Sequence, residues 1–249
     1  LVASYAASDL GRDAAARLYP SVDPRWTRVR IAETSELRAV LDRGERVPMA
    51  GLRDIRTMFK RFGKKETVFE PEQLLEIADT LAASGRLRIF LTNLEPSESR
   101  HLYGMGEKLG EFKSLVDEVG RCVGGDKRVR DSASDKLKES RWTIGLLRER
   151  IHEKFADIVA SAQLRRALEN DKFLMRHGRP VVAIKANYRH ALRGTVLDRS
   201  NTGATLYVEP DELVEMSNEL EDALFEEKKE VGRILWNLTR LVLDEQEAI

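Results

Sequence analysis

Gly178-Arg-Pro-Val-Val-Ala-Ile-Lys-Ala-Asn-Tyr-Arg189 decides how this chain folds. Its β-branched run reads as a strand. Gly194-Thr-Val-Leu-Asp198 follows, and Ala204-Thr-Leu-Tyr-Val208 comes after the turn Ser200-Asn-Thr-Gly203. The island from about Arg176 to Pro210 is the only part with a sheet pattern, and proline-free amphipathic helical patterns lie on both sides of it. A sheet this small cannot bury a core of its own, so it is expected at the far end of the flanking helices. Two long arms with a β tip predict a device that reaches around or grips something, rather than a small-molecule pocket.

Working outward, Gly124-Gly125 breaks the pattern upstream. Beyond it Val129, Ala133, Leu137, Ser140, Ile144, Leu147, Ile151, Phe155, Ile158 and Ala162 recur at alternating threes and fours, a heptad-like seam. From Asp126 to Asn170 such a helix would extend roughly 60 Å. After the island the seam resumes at Leu213, Met216, Leu220, Leu224, Val231, Ile234, Leu238 and Leu241. Glu226-Glu-Lys-Lys-Glu230 interrupts it and reads as a solvated stretch. The two seams are expected to pack antiparallel as a coiled-coil hairpin.

Residues up to about Val123 read as shorter helices closing one helical core. Pro20 closes the first. Asp23-Pro24 reads as an N-cap and first helical residue, with Trp26, Val29, Leu37 and Leu41 apolar. Gly51–Phe59 reads as a helix with Leu52, Ile55, Met58 and Phe59 on one face, stopped by Gly63. Pro71 starts another, which Gly85 is expected to interrupt. One more helix is expected to carry Leu102, Met105, Leu109, Phe112, Val116 and Val119. The organisation expected is a helical core over 1–125, an outgoing lever helix over 126–170, a β clamp over 171–210 and a returning lever over 211–249. The fold class is mainly α, with a small antiparallel sheet at the tip of paired lever helices.

The chain has 249 residues, with 42 basic and 42 acidic side chains, so bulk charge decides nothing about a polyanionic partner. Aromatics at 6% argue against a platform that stacks single strands. The single cysteine, Cys122, excludes an internal disulfide and reads as a buried inert thiol. His101, His152, His177 and His190 show no metal-ligand spacing. No apolar run approaches the ~18 residues a membrane span needs, and no signal peptide is visible, so a cytoplasmic protein is expected. The chain begins at Leu1 and stops inside a helical pattern at Ile249, which predicts a piece of a longer protein.

The island carries a charge bias that the whole chain lacks. Arg176, Arg179, Lys185, Arg189, Arg193 and Arg199 fall between Lys172 and Arg199, with His177 and His190, and Asp198 is the only acid there. On an alternating strand Val182 and Ile184 point one way and Ala183 and Lys185 the other, so Lys185, Arg189 and Arg193 can gather on one exposed face. Clustered cations on a protruding tip suit a phosphate backbone. The plainer reading is a solvated edge that resists aggregation. Tyr188 adjoins Arg189 and is a candidate ligand contact; Tyr207 reads as cross-strand packing. Asp198 and Glu209 are too few for a metal site, and no acid–base or nucleophile constellation is visible.

The same residues carry a resemblance. Gly178–Arg189 is similar to the Gly-Arg-Tyr-Val-Ile-Pro-Val-Lys-Ala-Glu-Tyr-Arg signature of MutS-like proteins. Gly194–Pro210 resembles that family's Gly-Ile-Val-His-Asp-Gln-Ser-Ala-Ser-Gly-Ala-Thr-Leu-Phe-Ile-Glu-Pro. The likeness continues through Asn218, Glu221, Glu227, Glu230, Arg233, Ile234 and Leu235, and upstream through Gly51–Ile55, Leu74–Ala78 and Asp131–Ser134. Pro180, Ala183 and Leu197 depart from it. The pattern is most similar to the second bacterial MutS paralogue, the branch without mismatch-reading and connector domains. The resemblance implies a helical core, lever helices and a clamp that contacts duplex or branched DNA through its backbone. It also implies homodimerisation and an ATPase domain using ATP and magnesium. No Gly-x-x-x-x-Gly-Lys-Ser/Thr loop occurs here, so no cofactor is expected on this chain; a nuclease-like tail is a further implication for the parent protein. Ribosome or structured-RNA binding is the alternative the branch implies. A coiled-coil module whose tip binds protein is the alternative of another class.

Overall fold

The computed structural model describes residues 2–60 and 68–249. The helix stop expected at Gly63 lies outside them. The chain divides into two compact units, Leu1–Ala133 with Arg233–Ile249, and Ser134–Gly232.

The first unit is helical. It holds α1 (Asp9–Ala16), α2 (Pro24–Asp42), α3 (Arg56–Phe59), α4 (Pro71–Thr92), α5 (Arg100–Lys108) and α6 (Lys113–Cys122). Asp23 caps α2, its Oδ1 accepting from Arg25 N at 2.8 Å, and Pro24 opens the helix as the sequence predicts. Glu70 and Gln73 form a capping box ahead of Leu74, which is fully buried. Gly85 does not interrupt α4; the helix runs through it, because seven residues of α4 are buried and packing outweighs one weak helix former. Gly51–Ile55 stays outside helix, leaving only Arg56–Phe59 as a single turn. The stretch read as one helix from Leu102 to Val119 is two, α5 and α6, broken where Leu109 turns extended at ψ 130. A Cβ on Gly106 would press on Leu91 Cβ, at 2.8 Å, so glycine lets α5 approach α4 closely. Val40, Leu91, Leu94 and Leu102 form one buried cluster here.

The second unit joins α7 (Asp135–Ala160), a sheet, and the first part of α8 (Asp211–Asp244). Ser134 caps α7, accepting from Leu137 N at 3.1 Å. At 26 residues α7 is about 39 Å long. It ends at Ala160 rather than at the expected Asn170, and Leu164 and Ala167 lie beyond it. Both are buried, but against the sheet rather than along a helix. Ala167 O accepts from Lys185 N and Glu169 N donates to Ala183 O, both at 2.9 Å, so this segment lines the sheet edge like a short strand.

The sheet has four antiparallel strands, β1 (Leu174–Arg176), β2 (Arg179–Lys185), β3 (Gly194–Arg199) and β4 (Thr205–Pro210), in the order β1-β2-β4-β3. Val182 faces Val208, and Ile184 faces Leu206. Residues Val181–Ile184 are all at most 1% exposed, so β2 is buried on both sides and lacks the in–out alternation its sequence predicts. Tyr188 lies not in a strand but in a 3₁₀ segment, Ala186–Ala191. A bulge between Val196 and Asp198 shifts β3 against β4. Gly194 is required because a Cβ there would overlap the Glu209 carbonyl.

Four side-chain bridges join α7 to α8. Ser134 Oγ donates to Glu230 and Lys136 to Glu226, at 2.8 and 2.7 Å; Arg141 Nε donates to Glu227 at 2.8 Å, and Lys154 pairs with Glu212. From Ser134–Glu230 at one end to Lys154–Glu212 at the other, numbers rise on α7 and fall on α8, so the two run antiparallel. Glu226–Glu230 is therefore not a bare solvated stretch: three of its carboxylates bind α7, and Glu230 is 3% exposed. The apolar ends of the pair, Phe155, Ile158 and Leu213, share one core with Val182, Ile184, Leu206 and Val208 of the sheet. Phe173 adds to this junction, stacked on His152 at 3.9 Å and edge-on to Phe155 at 4.9 Å. Ile184→Ala is expected to cost about 2–5 kcal/mol in urea unfolding of this unit, whereas the same change at the exposed Ile89 of α4 should cost well under 1 kcal/mol.

Candidate nucleic-acid interface

The six island cations occupy two kinds of environment. Arg179, at the start of β2, is bound three ways. Its Nη1 donates to Glu209 at 3.0 Å, and its Nη2 to Asn218 and Glu221 at 2.7 and 2.8 Å. Glu209 is 4% exposed while Arg179 is half-buried, so a buried carboxylate on β4 meets a guanidinium that reaches from β2 onto α8. The bond from Glu209 pushes the Arg179 guanidinium further up, against the effect of burial. Arg176 on β1 donates to Asp198 at 3.1 Å and lies 4.1 Å above the Tyr207 ring. Arg189 donates to the carbonyls of Leu192 and Gly194 at 3.1 and 2.6 Å, clasping the entry to β3.

Lys185, Arg193 and Arg199 are exposed, and their side chains make no hydrogen bond or ion pair among the described residues. They do not form one patch. Lys185 faces Thr205 and Arg199 faces Leu206, so both stand at the sheet end beside the Ser200–Ala204 turn. The register puts Lys185 on the face of Ala183, Tyr207 and Asp198, the face that also receives the Arg176 guanidinium. It aligns Arg199 with Leu206 on the opposite, core-side face. Arg193 sits at the other end, where its carbonyl accepts from Asp211 N at the root of α8. There it lines a cleft of about 700 Å³ with Lys154, His190, Asp157, Asp211 and Glu212. A polyanion reaching Arg193 would meet three carboxylates as well, so Lys185 and Arg199 have the more favourable surroundings. Tyr188 is 41% exposed beside Arg189.

Sequence reading found the cations but missed their acceptors. Glu209, Asn218 and Glu221 lie 30 to 42 positions from Arg179, and no local pattern marks them as its partners. Asp198 and Glu209 prove to be arginine partners. No group of three or more potential metal ligands occurs among the described residues, and no described helix is long and apolar enough to cross a membrane.

A small antiparallel sheet packed on an antiparallel helix pair, with the Gly-Arg-Pro strand bound back onto the returning helix, is the frame in which these cations sit. Over nearly its whole length the chain is similar to proteins named Endonuclease MutS2: 34% identical to that of Geobacillus sp. (strain WCH70) over 98% of the chain, and 36% identical to that of Symbiobacterium thermophilum over all of it. Another from Geobacillus thermodenitrificans is 35% identical over the full chain. The chain belongs to the MutS2 family, and it spans about 31% of the length of these curated relatives. No family model matches it.

Removing one side of the buried pair isolates the other. Arg179→Met is expected to cost about 3–5 kcal/mol by thermal or urea unfolding, because Glu209 would stay buried without its cation. The double variant Arg179→Met, Glu209→Leu should be the more stable of the two; equal loss in both would show that the guanidinium matters through packing alone.

Proposed function

We propose that this chain is the core, lever and clamp portion of a MutS-like ATPase, and that its β tip holds duplex or branched DNA by the phosphate backbone. The observation that carries this reading is the exposure of Lys185, Arg193 and Arg199 without internal acceptors, in a stretch whose one acid, Asp198, is already held by Arg176. Each exposed cation that meets a phosphate releases condensed counterions, which drives binding without reading bases. Nothing in the island resembles a helix that enters a groove. In this reading α7 and α8 act as levers, and a domain elsewhere in the protein binds ATP and magnesium. Two subunits close their clamps on the duplex. The relatives are named endonucleases; this portion would contribute grip, and strand cleavage would belong to another part of the protein.

The test is a duplex titration by fluorescence anisotropy across several salt concentrations. Lys185→Glu with Arg199→Glu removes two contacts, so the slope of log affinity against log salt should fall by about 1.8, with a loss of at least tenfold in affinity at low salt. Arg189 and Arg179 are unsuitable for this test because each holds the fold together. Unchanged affinity in a folded double variant would reject the assignment. Tighter binding to structured RNA or ribosomes than to duplex would favour the rRNA reading. Salt-insensitive capture of a protein would favour the interaction-module reading.

A further inference from the structure

The first unit holds a groove unrelated to the clamp. It lies between α4 and α6 and encloses about 230 Å³. Leu81, Ala82, Gly85 and Ile89 of α4 form one wall, and Phe112 and Val116 form the other. Spacings of three and four place the α4 members on one helical stripe. Ile89 is 59% exposed, although it continues that apolar stripe. The floor is aliphatic, and Phe112 is 8% exposed, so no aromatic face is offered for a base to stack on.

The rim is cationic. Arg86, Arg88 and Lys113 border the groove against one acid, Glu111. Arg86 is partly occupied, donating to the Ala50 carbonyl at 3.0 Å. Arg88 Nη1 lies 3.6 Å from Glu111, but its Nε is shielded from water and has no acceptor among the described residues. A shielded donor without an acceptor is a cost that folded proteins rarely leave standing.

We infer that this groove is a docking site for an acidic amphipathic helix of a partner protein. Its aliphatic side chains would lie against Gly85 and Ile89, and its carboxylates would meet Arg88 and Lys113. An apolar floor with a charged rim of one sign is the geometry of helix-in-groove recognition, and the excess of cations sets the charge of the occupant. Nucleic acid matches the rim but not the aliphatic floor.

The test uses the full chain and two fluorescent helical peptides of about 18 residues, long enough to hold helical structure on binding. Both carry leucine at three- and four-residue spacing; one has glutamate at the remaining positions, the other lysine. The acidic peptide should bind and the basic one should not. Gly85→Leu should weaken acidic-peptide binding by at least about tenfold by filling the floor. It should not lower the melting temperature, since no neighbouring atom lies within 4 Å of a Cβ at that site. Lys113→Glu, an exposed change, gives a second reading should Gly85→Leu disturb folding, and is expected to weaken the acidic peptide and admit the basic one. Duplex binding should be the same in both variants, which keeps this result separate from the clamp. Equal binding of both peptides, binding of neither, or unchanged affinity in folded Gly85→Leu and Lys113→Glu would overturn the proposal. So would a self-association seen by sedimentation that Gly85→Leu abolishes, which would make a second copy the occupant.

Discussion

The Arg179–Glu209 pair governs the second unit. Glu209 is almost wholly removed from water and would be intolerable there as a lone carboxylate. Arg179 supplies the compensating charge and still has donors for Asn218 and Glu221 on α8. A planar fork with several fixed N–H groups can do this; an ammonium could not reach all three acceptors in one plane. The consequence is that the neighbouring strands β2 and β4 are referenced to less than one turn of the returning helix, from Asn218 to Glu221. The shared apolar core holds the sheet down, but hydrophobic contact is non-directional. The charge pair sets where along α8 the sheet sits.

A second set of polar contacts does the same for the helix pair. The links from Ser134, Lys136, Arg141 and Lys154 to Glu230, Glu226, Glu227 and Glu212 span most of α7. Lys136 holds Glu226 below the usual carboxylate range, with help from Lys229. Exposed pairs of this kind add little stability individually. Their value is in register, since a slip of one turn would face like charges or leave Glu230 buried without its hydroxyl partner. Asn218, Glu221, Glu227 and Glu230, all in the stretch that resembles MutS-like proteins, each bond to a side chain of this frame. The frame thereby absorbs Arg176, Arg179 and Arg189 and leaves Lys185, Arg193 and Arg199 turned outward.

What was legible followed local chemistry. The strand limits of Gly194–Asp198 and Ala204–Val208 were set by β-branched runs and by the Ser200-Asn-Thr-Gly203 turn, all short-range signals. β1 was not legible: three residues carry no period, and its pairing depends on the turn at His177 and Gly178, both with positive φ. α7 was read too long because its seam runs to Ala162 and no proline or glycine follows before Asn170, whereas Leu164 and Ala167 pack under the sheet. The burial of β2 on both faces was also hidden, since alternation assumes one wet face and Val181 to Ile184 have none. In the site, residue type revealed the cations, but which of them were free depended on acceptors many positions away. Proximity of that kind is a property of the fold and not of any window of sequence.

Arg189 has an effect beyond its own turn. β3 is an outer strand, and an open strand border is where a foreign chain can add itself by main-chain pairing. The guanidinium already occupies the oxygens of Leu192 and Gly194 at the mouth of that border. A stray peptide trying to zip on from this side would have to evict a charged group from two carbonyls before forming its first bond. Protection against clumping thus rests on one guanidinium, so a substitution that removes Arg189 would also unlatch the border.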